Sequence, residues 1–506
     1  MTLRLKMVSF TAVIAAAMCC FWGARPTTAE VQSEMTDQDI SDKIEDQLIL
    51  DPGVLSVLIN VRTTDGIVTL RGKVNSILAK ERAARVAKTV KGVRSVVNRI
   101  DINPTALRPD DQVRKDVENA LAADPATESY IIGTTVESGQ VTLTGAVHSH
   151  QQRQVARTVA KGVRGVRAVE DQIDVAYKVD RPDEEIQAEI EQTLRWNARV
   201  DDYLINVVVD NGEVTLSGVV GSAAEKRSAE CDALVANVNS VDSSELNVER
   251  WARDEELRGE KYLIKSEEQV RDAVRRALLH DPRVNPFNVA VEVTGSLVTL
   301  RGEVKNLKAR RAAEQDARNT VGVSGVYNRL RVRPVTRATD AQIAQGIRET
   351  LLRDPYVDRF EITVTVVGDT ASLYGTVNSY FAMHRADDLA SRVVGVVDVM
   401  NHLRVDIETP YTYDPYVDDA YLGQDVLAGY ERRAPGKTDT QIKESIESHL
   451  WWSPFVNSNN VTVSVTNGIA TLTGTVGSWS ERQAATKNAY DGGATLVSND
   501  LIVDSS

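Results

Sequence analysis

Apolar residues spaced i, i+4 and i+8 open the pattern. Ile40, Ile44 and Leu48 share one helix face, and Asp51-Pro52 stops the helix because proline disfavours helical geometry in the residue before it. Ahead of them, Thr36-Asp37-Gln38-Asp39 supplies a capping hydroxyl and acids for the positive helix end. The period then drops to two. Val57, Ile59 and Val61 alternate with Leu58 and Asn60, Thr64-Asp65-Gly66 signals a hairpin turn, and Val68, Leu70 and Val74 continue on the return strand. From about Ser76 to Lys91 the helical period returns. Ile77, Ala83, Val86, Ala87 and Val90 lie on one side, Lys80, Arg82, Arg85, Lys88 and Lys91 on the other, and Gly92 stands as a C-cap. Val93, Val96 and Ile100 lead into a last strand ending near Ile102. The unit predicted is αββαβ, an α+β fold with two helices on one face of a three-stranded mixed sheet.

The same sentence is written six times. The first-helix stripe recurs as Val113, Val117, Leu121; Ile186, Ile190, Leu194; Val270, Val274, Leu278; Ile343, Ile347, Leu351; and Ile442, Ile446, Leu450. A glycine closes each second strand: Gly72, Gly145, Gly218, Gly302, Gly375 and Gly474, at steps of 73, 73, 84, 73 and 99 residues. A fixed period predicts tandem modules rather than one large enzyme core. Each glycine occupies an inward slot, where a missing side chain is expected to let a covering helix approach the sheet, a structural role rather than a phosphate loop. The modules fall at 36–104, 109–178, 182–250, 266–335, 339–408 and 438–504. A charged linker covers 251–265. A second, 409–437, carries Tyr411, Tyr413, Tyr416, Tyr421 and Tyr430 and is expected to act as a tether whose rings pack back on the modules, with an aromatic docking strip as the alternative. Such linkers would let modules one to three, four to five, and six reorient. Module 3 departs from the pattern, with Asn197-Ala198 for the Asp-Pro stop and Asn237 for the helix-ending glycine; module 6 has Gly492-Gly493 before an irregular last turn.

Composition changes the picture in two ways. Aromatics make up only 5%, so the cores must be Val, Ile, Leu and Ala, and a net charge of -13 argues against nucleic acid as a partner. The charge is unevenly shared: module 4 has 13 basic and 8 acidic residues, module 1 has 11 and 9, and the stretch from Asp180 to Arg250 that holds module 3 only 6 against 16. Opposite fields on one scaffold suit attraction to an anionic lipid surface or between modules. At the N-terminus, Arg4 and Lys6 precede an apolar run from Met7 to Trp22 and then Thr27-Thr28-Ala29, the anatomy of a secretory signal over 1–29, with an uncleaved anchor as the alternative. After cleavage one cysteine, Cys231, would remain, and its Ala-rich helix predicts burial.

Catalytic chemistry is not evident. The six histidines never recur at a fixed place, and His148 and His150 have no evident third metal ligand. There is no Gly-x-Ser-x-Gly elbow, no complete Gly-x-x-x-x-Gly-Lys-Ser/Thr phosphate loop and no His-Glu-x-x-His helix. No enzyme activity, cofactor or metal is therefore expected. The candidate binding residues are the basic side of the second helix in modules 1 and 4: Lys80, Arg82, Arg85, Lys88 and Lys91, with Lys305, Lys308, Arg310 and Arg311. Trp451 aligns with Ile49, Leu279 and Leu352 and is expected in the core. Trp452 and Trp196 share a slot that elsewhere holds His280 or Arg353, so both are expected to be exposed and able to enter a membrane interface, assisted by Phe455.

The order of elements, the hairpin Gly66-Ile67-Val68-Thr69-Leu70-Arg71-Gly72 and the ending Gly92-Val93-Arg94-Ser95-Val96-Val97-Asn98 resemble the BON domain. That resemblance implies a periplasmic protein associated with phospholipid or the cell envelope, linked to osmotic or envelope stress. It suggests weak modules whose tethering raises the effective concentration of the next. The alternative is a scaffold or chaperone-like factor that binds envelope proteins through helices and sheet edges.

Overall fold

A computed structural model describes residues 35–54, 59–103, 108–124, 127, 131–176, 181–253, 261, 265–284, 288–334, 338–358, 360–405 and 437–503. The expected signal segment and the tyrosine-bearing linker lie outside these residues.

In module 1 a capping box between Thr36 and Asp39 starts the first helix, Asp37–Leu50. Ile40, Ile44 and Leu48 point into the core. Strand Ile59–Thr64 pairs antiparallel with Ile67–Val74. The second helix, Ile77–Lys88, then crosses over so that Ser95–Ile102 adds parallel to the other side of the middle strand. Every module repeats this mixed sheet. Modules 3 and 6 break the last strand into two pieces on the same middle strand, as their irregular endings foreshadow.

Three small devices recur among the units, the third in four of the six. Asp65 and Gly66 both have positive φ, the hairpin geometry that glycine and short polar residues tolerate. The Asp37 carboxylate accepts from the Asp65 and Gly66 amides at 2.7 and 2.9 Å, tying the start of the first helix to the turn. Asp110, Asp183, Asp340 and Asp439 repeat this clamp, and Glu267 makes it in module 4. Asn98 donates from its side chain to the Lys80 carbonyl and fixes the second helix to the last strand, as do Asn328, Asn401 and Asn499.

The strand-closing glycines have a different neighbour from the one expected. Their φ values lie between 111° and 143°. A Cβ on Gly145, Gly218, Gly302, Gly375 or Gly474 would stand 1.9–2.5 Å from the carbonyl oxygen just ahead of the first strand, not against a helix. The hairpin backbone itself demands glycine.

The hydrophobic clusters stay largely module by module, yet the modules are not beads on a string: all six lie within one compact unit, Thr36–Ser506. Two joints recur. At one, the residue opening a second helix enters the next module's core: Ile77 in module 2, Leu307 in module 5. At the other, the last carbonyl of a first helix accepts from the turn after another module's second helix. Lys91 N donates to Trp452 O at 3.0 Å, Arg164 N to Arg353 O at 2.8 Å, and Val321 N to Trp196 O at 2.9 Å. Module 6 thus docks on module 1 as module 3 docks on module 4. The reorienting groups expected from the linkers are not observed. Arg318 of module 4 lies 4.4 Å over the Trp479 ring of module 6, and Lys261 of the first linker is buried against Leu194 O and Asp202.

Candidate functional site

The basic second-helix face is mostly spent inside the molecule. Arg82 is 2% exposed, bonds Asp51 at 2.7 Å and stacks 4.6 Å from the Phe381 ring of module 5. Lys91 donates from Nζ to Trp451 O at 3.1 Å and lies over that ring. Lys308 pairs with Asp388 at 2.7 Å and Arg311 with Asp387 at 2.5 Å, both across the joint between modules 4 and 5. Lys80, Lys88 and Arg310 are half-buried, and only Arg85 and Lys305 of the nine are exposed. An amphipathic helix reads alike whether its polar side meets water or a charged neighbour, and here modules supply the neighbours.

The aromatic candidates behave similarly. Trp196 is half-buried against the core of module 4, Phe455 packs on the core of its own module, and Trp452 meets Trp451 edge to face at 5.0 Å beside module 1. Trp451 is itself only half-buried, and its counterparts Ile49, Leu279 and Leu352 are 65, 57 and 60% exposed rather than core. The residue after Leu48, Leu278 or Leu351 turns about 100° off the buried stripe, so it faces away from the sheet.

What the modules leave open is the outer side of the sheets. In module 1, Arg71 lies opposite Arg99 across the parallel ladder, with Ile67 and Val97 exposed on the same face at 44 and 38%. Module 4 repeats the arrangement: Arg301 opposite Arg329, with Leu297 and Tyr327 at 41 and 56%. The corresponding cross-strand pairs elsewhere are Thr144 with Gln172 and Tyr374 with His402. The sequence signal for this face is an arginine on each of two strands, weaker than the run of basic residues on the second helix.

Between modules 1, 2, 3 and 5 a cavity of about 740 Å³ opens, and a second of about 890 Å³ adjoins modules 2 to 5. Cys231, expected to be buried, is exposed on their shared wall. Surrounding protein still desolvates its thiol and raises its pKa. Asp232 beside it accepts from Asn197 at 2.6 Å, and desolvation lifts its pKa to about 7. Asp316 is also held well above the usual carboxylate range, first by desolvation and then by the Asp281 charge. His150 bonds Val238 O of module 3, and among the described residues no cluster of three His, Cys, Asp or Glu is placed to hold a metal. No helix among them is long and apolar enough to cross a membrane.

The family described as the BON domain matches residues 36–104, 109–177, 182–250, 266–334, 339–406 and 438–505. Osmotically-inducible protein Y of Escherichia coli K12 is 30% identical over 150 residues, covering 28% of this chain and 75% of that one. Outer membrane lipoprotein DolP of Haemophilus influenzae is 24% identical over 176 residues, 34% of this chain and 86% of that one. Among solved structures, CdsD, a structural protein of the type III secretion system of Chlamydia trachomatis, aligns at 15% identity and a TM-score of 0.12, over 41% of this chain and 90% of that one.

Proposed function

Because this chain belongs to the BON-domain family, with six copies in tandem, we propose that it is an exported, non-enzymatic envelope protein that binds anionic phospholipid surfaces and serves in osmotic or envelope stress. The names of its relatives, one osmotically inducible and one an outer-membrane lipoprotein, support the setting. The observation that carries the binding mode is the paired-arginine, apolar sheet face on modules 1 and 4. A flat basic ladder flanked by exposed aliphatic and aromatic side chains fits a bilayer surface, where each charge contributes about 1 kcal/mol and falls off with salt. Both faces belong to one chain, so a second contact would be intramolecular once the first has formed.

The test is co-sedimentation with phosphatidylglycerol vesicles at low and high salt, using phosphatidylcholine vesicles as the neutral control. Combined Arg71→Glu, Arg99→Glu, Arg301→Glu and Arg329→Glu should lower vesicle affinity by at least about tenfold, whereas Lys305→Glu should do much less. Equal binding by the fourfold variant would refute the surface. The second reading, a protein-binding scaffold, is favoured by the exposed helix-end residues Ile49, Leu279 and Leu352. Suppression of client aggregation without lipid, lost in Ile49→Ser/Leu279→Ser/Leu352→Ser and kept in the arginine variant, would establish it.

A further inference from the structure

The chain is acidic overall, at -13, yet ten Lys and Arg side chains against five Asp and Glu line the cavity between modules 1, 2, 3 and 5. The excess arises from the assembly, since each of the four modules contributes basic residues: Lys88 and Arg85 from module 1, Arg157 from module 2, Arg227 from module 3 and Arg353 from module 5. No single module would form it.

Arg82, Lys161, Arg385 and Arg392 of this lining are spent in close ion pairs, but Lys88, Arg227 and Arg157 are weakly paired. Among the described residues Lys88 has no ion pair within 4 Å; from module 3 Arg227 and Lys226 oppose its charge and Glu230 favours it. Arg227 itself reaches only Glu230, at 3.6 Å. Arg157 Nε is buried without a hydrogen bond, 3.5 Å from an Asp171 oxygen that Arg153 already holds at 2.7 Å. Lys88 and Arg353 both have pKa values lowered, in each case first by burial. Bringing like charges together under low dielectric is unfavourable unless an anion joins them. The volume of about 740 Å³ lies in the range of small-ligand sites and is far larger than one phosphate needs.

From this juxtaposition we infer that the cavity between modules 1, 2, 3 and 5 is a binding chamber for a multiply charged phosphate-type anion, with Lys88, Arg227, Arg157 and Arg353 as its principal contacts. The chamber is separate from the outer sheet faces. The ligand is either a free soluble phosphate compound or the headgroup of a lipid drawn into the molecule; the phosphate chemistry is common to both.

Inorganic tripolyphosphate titrated calorimetrically into the full chain should bind one to one. Lys88→Gln/Arg227→Gln should weaken it by at least about tenfold, and the exposed Lys305→Gln should leave it unchanged. Absence of binding, undiminished affinity in the double variant, or an equal loss in Lys305→Gln would overturn the chamber. A second measurement needs no variant. Cys231 lines this wall, so tripolyphosphate should slow its modification by the dianionic reagent 5,5′-dithiobis(2-nitrobenzoate) severalfold, with the adduct located by peptide mass; an unchanged rate also overturns it. Adding phosphatidylglycerol vesicles separates the two sources. Displacement of tripolyphosphate identifies a lipid headgroup, and simultaneous binding identifies a soluble anion; either supports the chamber. The fourfold sheet-face arginine variant should still bind tripolyphosphate, so failure of one site is readable apart from the other.

Discussion

Replacing Asp232 with asparagine should make the protein's stability less sensitive to pH, by an amount the structure sets. The folded-state pKa of this carboxyl is about 7 against an ordinary 3.8, with desolvation the main cause and the Asn197 hydrogen bond, Lys261 and Arg199 opposing it. The raised value means the folded protein holds a proton that the unfolded chain releases. The wild type therefore loses stability as pH rises from near 4 to near 7 and changes no further through this group above that. Each pKa unit is 1.36 kcal/mol, so the full span corresponds to about 4 kcal/mol, and the part above pH 5 to about 2–3 kcal/mol. An asparagine does not titrate and can still accept the Asn197 amide. Urea unfolding followed by tryptophan fluorescence, run at pH 5 and pH 8 on both proteins, measures the difference directly. Asp316 titrates in both and cancels. The expected result is that Asp232→Asn gains about 2–3 kcal/mol on the wild type between pH 5 and pH 8. A gap that stays constant within about 0.5 kcal/mol, or that moves the other way, would refute the assignment of a protonated Asp232.

Other expectations follow from the same contacts. Gly302→Ala forces a side chain at φ +122°, 1.9 Å from Asn288 O, and should cost about 3 kcal/mol. Gly295→Ala, at φ +62° with nothing within 4 Å, should cost about 1 kcal/mol, and equal losses would show that strand approach is not the reason for glycine. Trp196→Ala should destabilise by about 2 kcal/mol and speed hydrogen exchange at the Val321 amide, which Trp196 O now holds, without changing vesicle binding. His449 is held well below its ordinary pKa, first by burial and then by Lys43, Lys487 and Lys437. The unfolded chain takes up the proton that the folded state refuses, so stability should fall below about pH 6.5, and His449→Gln should flatten that acid limb of the melting curve.

The units were legible because each element announces itself within a few residues: a stripe for the first helix, alternation for the hairpin, Asp51-Pro52 for the stop. The Asp37 clamp was hidden behind a second job, since an acid at a helix start already has a reason to be there. The glycines stand out in the sequence but their reason does not, because a strand carbonyl ahead of Ile132 or Val289 leaves no mark in the pattern. Inter-module joints were the least visible. They run through backbone groups such as Trp452 O and Arg353 O, which every residue possesses, and through cations whose burial depends on a neighbour hundreds of residues away. Lys261 shows the same limit: a charged stretch reads as a solvated linker until three oxygens of module 3 are seen to surround its ammonium group.

The Lys91–Trp452 joint also says something about how such a molecule comes into being. Its partners are separated by 360 residues from Lys91 Nζ to Trp451 O. A chain emerging from the ribosome N-terminus first delivers module 1 long before module 6. The turn after that first module must wait, its amide and lysine in water, until the final segment arrives to complete the seam. Closure of the particle is thus a late event in biogenesis, and a prematurely terminated chain would carry an open edge.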